Sequence, residues 1–352
     1  QTPNPKPQTP LSLALPPRHR AFEVKMRFFL AAAALRGVVG RLQTPCQQIL
    51  TEDIGTLLPP PDHGGASCAQ AVATCEAGKQ CVRPCRQQSQ DVVVKQLSLA
   101  DAREIEAAKR EANAMHAVQG VPGAMQMLRC VELRTRVVFV YEALYKDLQV
   151  GRAEFRALPP ERQSALFVEV AMTLRSMHAF NWTHGDIKPE NIMLAGPDCL
   201  HAKLIDFGLA AEVDRDYAGG TFYFMAPEVS LNDYRAVQTK AMDVWMFGST
   251  ALDVVDPELL SFLQPLVQMP HAFSYRGPIY QTLSERVAAL LGQANEDLLG
   301  RVMRWLAYLP ADRATIDEVI EDLQRWGPRL FALGSKGPVS PPAKPISVPA
   351  AP

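Results

Sequence analysis

His184-Gly-Asp-Ile-Lys-Pro-Glu-Asn191 is the stretch that decides how this chain reads. It sets acids, a lysine and an amide within one short segment, and Asp206-Phe-Gly208 and then Ala226-Pro-Glu228 follow it. Any one of these motifs arises by chance; the three in this order and at these distances very rarely do. Upstream, Asp91-Val-Val-Val-Lys-Gln-Leu97 is a β-branched run, a buried strand carrying one lysine. Residues 100–118 hold strong helix formers with the apolar spacing Ile105, Ala108, Ala112, Met115, which predicts a helix. Glu111 falls on or beside its inward stripe. A carboxylate there needs a cationic partner, because an unpaired buried charge is strongly unfavourable, and Lys95 is the candidate.

Downstream, residues 136–142 (RVVFVYE) read as another strand. A helix is expected over 161–180, opened by Pro159-Pro160, with Phe167, Val170, Ala171, Leu174 and Met177 on one face. Further helices are expected near 238–254, 283–293, 296–307 and 315–326. A strand-rich first half and a helical second half predict an α+β protein of two unequal lobes.

Together these motifs resemble the protein kinase superfamily, serine/threonine type, over roughly residues 60 to 330. The resemblance implies a kinase domain over 59–331, with a small β-rich N-lobe (about 59–144) carrying one key helix and a larger helical C-lobe (about 145–331). It implies ATP and Mg²⁺ as cofactors and a protein hydroxyl as phosphate acceptor. Such chemistry is mainly positioning and charge neutralisation. Asp186 would orient or accept the acceptor's proton, and Lys188 would reach the transferring phosphate as a point charge. Asn191 and Asp206 would supply hard oxygen ligands to Mg²⁺. Lys95 would hold the α- and β-phosphates, with Glu111 fixing its position. Tyr141 matches the gatekeeper, Glu142 and Leu144 the hinge that binds adenine, and Val72, Val93 and Met193 the apolar residues sandwiching that ring. Met115, His184 and Phe207 match the stacked column of active kinases; ordinary core packing is compatible with the same placement. Asp243 matches the anchor of the catalytic loop, and Arg313 the partner of Glu228.

Two positions depart from the family pattern. With Val72 as the valine of G-x-G-x-x-G-x-V, the glycine positions read Gly65, Ser67 and Gln70, so only the first is kept. Side chains at the others limit how closely backbone amides approach phosphates. Gly185 stands where most kinases carry the arginine that pairs with an activation-loop phosphate. The hydroxyl side chains between Leu209 and Met225 are Tyr217, Thr221 and Tyr223. The expectation is activity without loop phosphorylation. The HGDIKPEN stretch, the N-terminal extension and the cysteine-bearing small lobe are also similar to rhoptry-type secreted kinases of apicomplexan parasites. The rival reading is a pseudokinase or scaffolding module with weakened nucleotide binding, favoured by the eroded glycine loop and opposed by the intact transfer residues.

Lysine plus arginine (36) balances aspartate plus glutamate (37), so no basic field suggests nucleic acid as a partner. Proline-rich residues 1–20 and 332–352 read as disordered tails, and 21–58 as a helical extension. Within it, residues 22–42 are too short in uncharged run to span a bilayer. An amphipathic helix packed on the domain, peripheral membrane contact and a signal peptide starting at Met26 all stay open. Seven cysteines are present, four of them (Cys68, Cys75, Cys81, Cys85) in one segment whose spacing lacks the C-x2-C knuckles of structural zinc. Paired, they would indicate secretion; as free thiols, a cytoplasmic protein.

Overall fold

The computed structural model describes residues 46–48, 68–73, 75, 80–87, 90–230, 236–257 and 296–334. The readings of residues 1–20, 22–42 and 283–293, of Gly65 and Ser67, and of the chain beyond 334 lie outside them.

The small lobe is a five-stranded sheet in the order β1-β4-β5-β3-β2, formed by β1 (Gln47–Gln48), β2 (Cys81–Gln87), β3 (Gln90–Ser98), β4 (Met127–Glu132) and β5 (Arg136–Glu142). All neighbours are antiparallel except β1, which runs parallel to β4. The β-branched run of residues 92–94 thus sits in a central strand, where such side chains pack best. Alternation divides the sheet into two faces. Val92, Val94, Val138 and Val140 join an outer cluster, while Val93, Lys95, Phe139 and Tyr141 occupy the opposite, inner face.

Two disulfides tie a short helix, α1 (Cys68–Ala73), to the outer side of β2. Cys68 pairs with Cys85, and Cys75, just past the helix, with Cys81. A third, Cys46–Cys130, fastens the segment bearing β1 to β4. Residues 47 and 48, expected within a helical extension, are therefore strand, because that bridge sets them beside an open sheet edge. Cys199 is the free cysteine among the described residues, and it is buried.

Helix α2 (Ala102–Ala117) starts where the Asp101 side chain accepts the Glu104 amide at 2.9 Å. It ends before Gly120-Val-Pro-Gly123, in which both glycines have positive φ. Its buried face carries Ala108, Glu111, Ala112 and Met115, as the spacing predicts.

The large lobe is helical. Its frame is α3 (Arg152–Ala157), α4 (Pro160–Ala179), α5 (Lys240–Val255), α6 (Glu296–Trp305) and α7 (Ile316–Phe331). Helix α5 is buried on every side from Met242 to Val255, as its apolar composition requires. Phe155, Phe167, Phe247 and Phe331 from four helices meet edge-on or tilted at centroid distances of 4.9–6.0 Å. Helix α7 opens with a capping box between Thr315 and Glu318 and runs five residues past its expected end. Burial of Leu330 and Phe331 outweighs the proline at 328, and the fold continues to Leu333, also buried, inside the segment read as a tail. Along one edge of this lobe lie β6 (Lys146–Asp147), β8 (Ile192–Leu194) and β9 (Ala202–Leu204), and nearby β7 (Trp182–Thr183) pairs with β10 (Ala211–Glu212). The result is an α+β fold with a β-sheet N-lobe and a helical C-lobe.

Candidate active site

The loop from His184 to Asn191 joins β7 to β8 and is held from below by one buried carboxylate. Asp243 of α5 accepts the amides of His184 (2.8 Å) and Gly185 (2.9 Å), and contacts His178 Nε2 at 2.9 Å. Gly185 has φ +80°, and a Cβ there would lie 2.9 Å from the Leu209 carbonyl oxygen. The missing arginine side chain thus has a local cause: no L-residue fits without strain.

Above this base, Asp186 collects three donors. Its Oδ2 accepts from Lys188 Nζ at 2.7 Å and Asn191 Nδ2 at 3.1 Å, and its Oδ1 from the Thr221 amide at 2.9 Å. Lys188 also donates to Thr221 Oγ1 at 2.6 Å. The segment bearing Thr221 is thereby fastened to Asp186 and Lys188. A cleft of about 360 Å³ opens beside Thr221, lined by Glu190, Arg152, Asp253, Tyr223 and Phe224.

Across from Asp186, Lys95 Nζ lies 2.8 Å from Glu111 Oε1 and 2.9 Å from Asp206 Oδ1. Burial alone would lower the lysine, but the two carboxylates outweigh it and hold the ammonium above its ordinary 10.5. Asp206 adopts the left-handed conformation, φ 59° and ψ 75°, which turns its side chain toward Lys95. Burial pushes its carboxyl up, and Lys95 more than reverses that, leaving it below the ordinary value. Phe207 and His184 meet with their rings tilted, 5.1 Å between centroids, and Met115 and Phe207 are both fully buried.

The inner face of the sheet covers this group. Val93 and Lys95 face inward from β3, opposite Tyr141 and Phe139. Met193 is half-buried between the buried Ile192 and Leu194. Glu142 ends the β5 ladder, and its carboxylate accepts the Gln126 amide at 2.7 Å and Lys203 Nζ at 2.6 Å. A binding role for Glu142 therefore belongs to its backbone. Leu144 lies two residues past the ladder and is half-buried.

Val72 is not at the site. It sits on α1 in the outer cluster with Val92 and Val94, on the opposite face from Val93 and Lys95. The glycine-loop register is corrected accordingly, because the Cys68–Cys85 bridge carries Val72 to the outside. The inward residues of β2 are Val82, paired with Lys95, and Pro84, paired with Val93. Sequence reasoning missed both. Counting the β2 run Cys81–Gln87 back across the short connection to β3 as an antiparallel hairpin would have found them.

Sequence reasoning also missed Gln238. Fully buried, it donates to the Leu209 carbonyl at 3.0 Å and accepts from Thr183 Oγ1 at 2.9 Å. Its backbone amide donates to the Arg215 carbonyl at 2.7 Å. Tyr217, buried nearby, donates its hydroxyl to the Gly185 carbonyl at 3.1 Å. Burial first, then the charges of Asp186 and Asp243, push that phenol well above its ordinary value, so it stays a donor. Further down, Arg313 grips Glu228 with Nη1 and Nη2 at 2.8 and 3.0 Å. Its guanidinium lies over the Trp245 ring, 5.2 Å from the centroid.

The donor set suits Mg²⁺ shared with phosphate oxygens. Asn191 spends its amide protons on Asp186, which leaves its oxygen as the acceptor, and the Asp206 side chain is 43% exposed with only one oxygen on Lys95. Among the described residues no three acidic, histidine or cysteine side chains form a metal cage, so a cation here would need the nucleotide to complete its shell.

A family model described as the protein kinase domain matches residues 77–323. The serine/threonine-protein kinase ppk34 of Schizosaccharomyces pombe is 28% identical over 179 residues, 48% of this chain and 45% of that protein. Human serine/threonine-protein kinase D2 is 32% identical over 134 residues, 36% of this chain and 15% of that protein. The ovarian-specific serine/threonine-protein kinase Lok of Drosophila melanogaster is 28% identical over 211 residues, 57% and 42% respectively. The chain thus spans less than half the length of each of these relatives.

Proposed function

This chain belongs to the protein kinase domain family, and from that premise we propose that it is an active serine/threonine kinase, transferring the γ-phosphate of ATP to a protein hydroxyl with Mg²⁺. One observation carries this: Asp186 is held by Lys188, Asn191 and the Thr221 amide, opposite a closed Lys95–Glu111 pair that also reaches Asp206. Asp186 orients the acceptor hydroxyl, and Lys188 neutralises charge on the moving phosphoryl group. Thr221 sets the floor on which the acceptor segment lies, beside the cleft lined by Glu190 and Tyr223. Lys95 holds the nucleotide's phosphates under Val82, Val93 and Met193. Mg²⁺ bound by Asn191 and Asp206 supplies neutralisation of the phosphate oxygens.

Lys95 is a raised group, so its contribution to stability is complete below 10.5 and fades only as pH rises through its folded value.

The activation segment favours function without loop phosphorylation. The Tyr217 hydroxyl is buried on Gly185, and the Thr221 hydroxyl is engaged by Lys188. Gln238 holds Leu209 and Arg215 from the other side. The three disulfides favour an oxidising compartment, in keeping with the narrower resemblance to rhoptry-type secreted kinases.

A pseudokinase is the second reading. It is favoured by Val72's place on an outer helix, which leaves the expected glycine loop without its valine. The deciding measurement is phosphate transfer from labelled ATP to a generic protein acceptor by the parent, Asp186→Asn and Asp206→Ala. Transfer by the parent that falls roughly 10²-fold or more in both variants supports the kinase. Transfer unchanged by either removes the assigned mechanism. A melting shift with Mg-ATP and no transfer establishes the pseudokinase.

A further inference from the structure

Tyr141 closes the inner face of β5 with its ring stacked on Phe139, 5.9 Å between centroids and 7° between planes. A phenylalanine would keep that ring stacking. What the tyrosine adds is a hydroxyl at the end of a buried ring, and it donates to Glu111 Oε1 at 2.7 Å. That same oxygen faces the Lys95 ammonium at 2.8 Å. Burial, then the Glu111 charge, push the phenol well above its ordinary value, so it remains an O–H donor.

The groups facing Glu111 come from three elements. Lys95 reaches it from β3 and Tyr141 from β5. From the segment after β9, Gly208 lies against it and the Asp206 charge acts on it. The two carboxylates that hold Lys95 are unequal. The Glu111 side chain is 4% exposed, whereas that of Asp206 is 43% exposed and faces the cleft. Were Asp206 to hold a cation, Glu111 would be the carboxylate left to fix the lysine. Glu111 is then fixed, apart from the lysine itself, by the Tyr141 hydroxyl.

We propose that Tyr141 is a positioning residue for phosphate transfer, its hydroxyl orienting the Glu111 carboxylate that aims Lys95 at the nucleotide's phosphates. This rests on the kinase reading above. A tyrosine whose ring merely packs would act independently of Glu111; one that acts through Glu111 would not.

The experiment is a double-mutant cycle on kcat/KM for ATP in the full chain, with Tyr141→Phe, Glu111→Gln and the pair. Losing a hydrogen bond to a buried carboxylate is expected to lower kcat/KM about tenfold in Tyr141→Phe. In the Glu111→Gln background the same change is expected to add less than about twofold. Tyr141→Met, which also lacks the hydroxyl, serves the same cycle should the phenylalanine variant fail to fold. An active parent whose Tyr141→Phe variant keeps full kcat/KM overturns this inference alone. So does an equal loss in both backgrounds, which would mark Tyr141 as packing only. An inactive parent overturns the kinase reading and this inference with it.

Discussion

The base of the catalytic loop and the outer face of the small sheet are both held in place, but by different means. Under the loop, one buried carboxylate, Asp243, gathers two amides and a histidine. Over the sheet, disulfides tie α1 to β2 and the segment bearing β1 to β4. The first needs a finished core around it, because hydrogen bonds of this kind gain strength only where water is excluded. The second constrains the unfolded chain as well, adding covalent ties to a layer whose apolar residues, Val72, Val92 and Val94 among them, are already buried. The loop under Asp186 is therefore held by a buried carboxylate, while the outer layer of the small sheet has covalent bonds in addition to its packing.

Breaking the first device should have the largest effect. Asp243→Ala leaves three buried groups without their acceptor at roughly 1–3 kcal/mol each, so a loss of about 5 kcal/mol in urea unfolding is expected, together with loss of transfer. A variant that unfolds like the parent would show that the loop is held from elsewhere.

The disulfides sharpen the comparison, because their loops differ in length. Removing Cys46–Cys130, with 84 residues of separation, should cost about 4–5 kcal/mol. Cys68–Cys85, at 17, should cost about 3, and Cys75–Cys81, at 6, about 2 kcal/mol. Paired serine substitutions followed by denaturant unfolding test the order. A reversed order would mean that these bridges act on the folded state rather than on the unfolded chain.

The smallest effect is expected far from both devices. Thr315→Ala removes one half of the α7 capping box and should cost about 1 kcal/mol, with kcat unchanged. A change in phosphate transfer would reveal coupling between that helix start and Arg313, two residues away.

The same contrast explains what could be read without coordinates. Asp186, Lys188 and Asn191 lie within six residues, and local backbone geometry alone brings them together. Lys95 and Glu111 were legible because each stands at a buried position of a strongly patterned element, where an unpaired charge is not tolerated. Val72 misled, because its apparent spacing to Gly65 assumed a strand and hairpin; four clustered cysteines allow three pairings, and sequence does not choose among them. Val82 and Pro84 were hidden for a related reason. A hairpin register slip of one residue exchanges the faces of a strand, and β2 does not alternate cleanly between apolar and polar residues.

The sequence by itself determined the family, the two-lobed α+β architecture and the identity of the charged residues that meet around Asp186 and Lys95. Those depend on short motifs and on periodicities that each element carries alone. Tertiary structure decided which face Val72 takes, that Thr221 closes on Asp186 and Lys188, and that Gln238 and Tyr217 hold the activation segment. It also decided that the Tyr141 hydroxyl lands on Glu111, 30 residues away in sequence. Each of these is a contact between segments whose spacing along the chain is set by no local rule, so only the packed core could fix it.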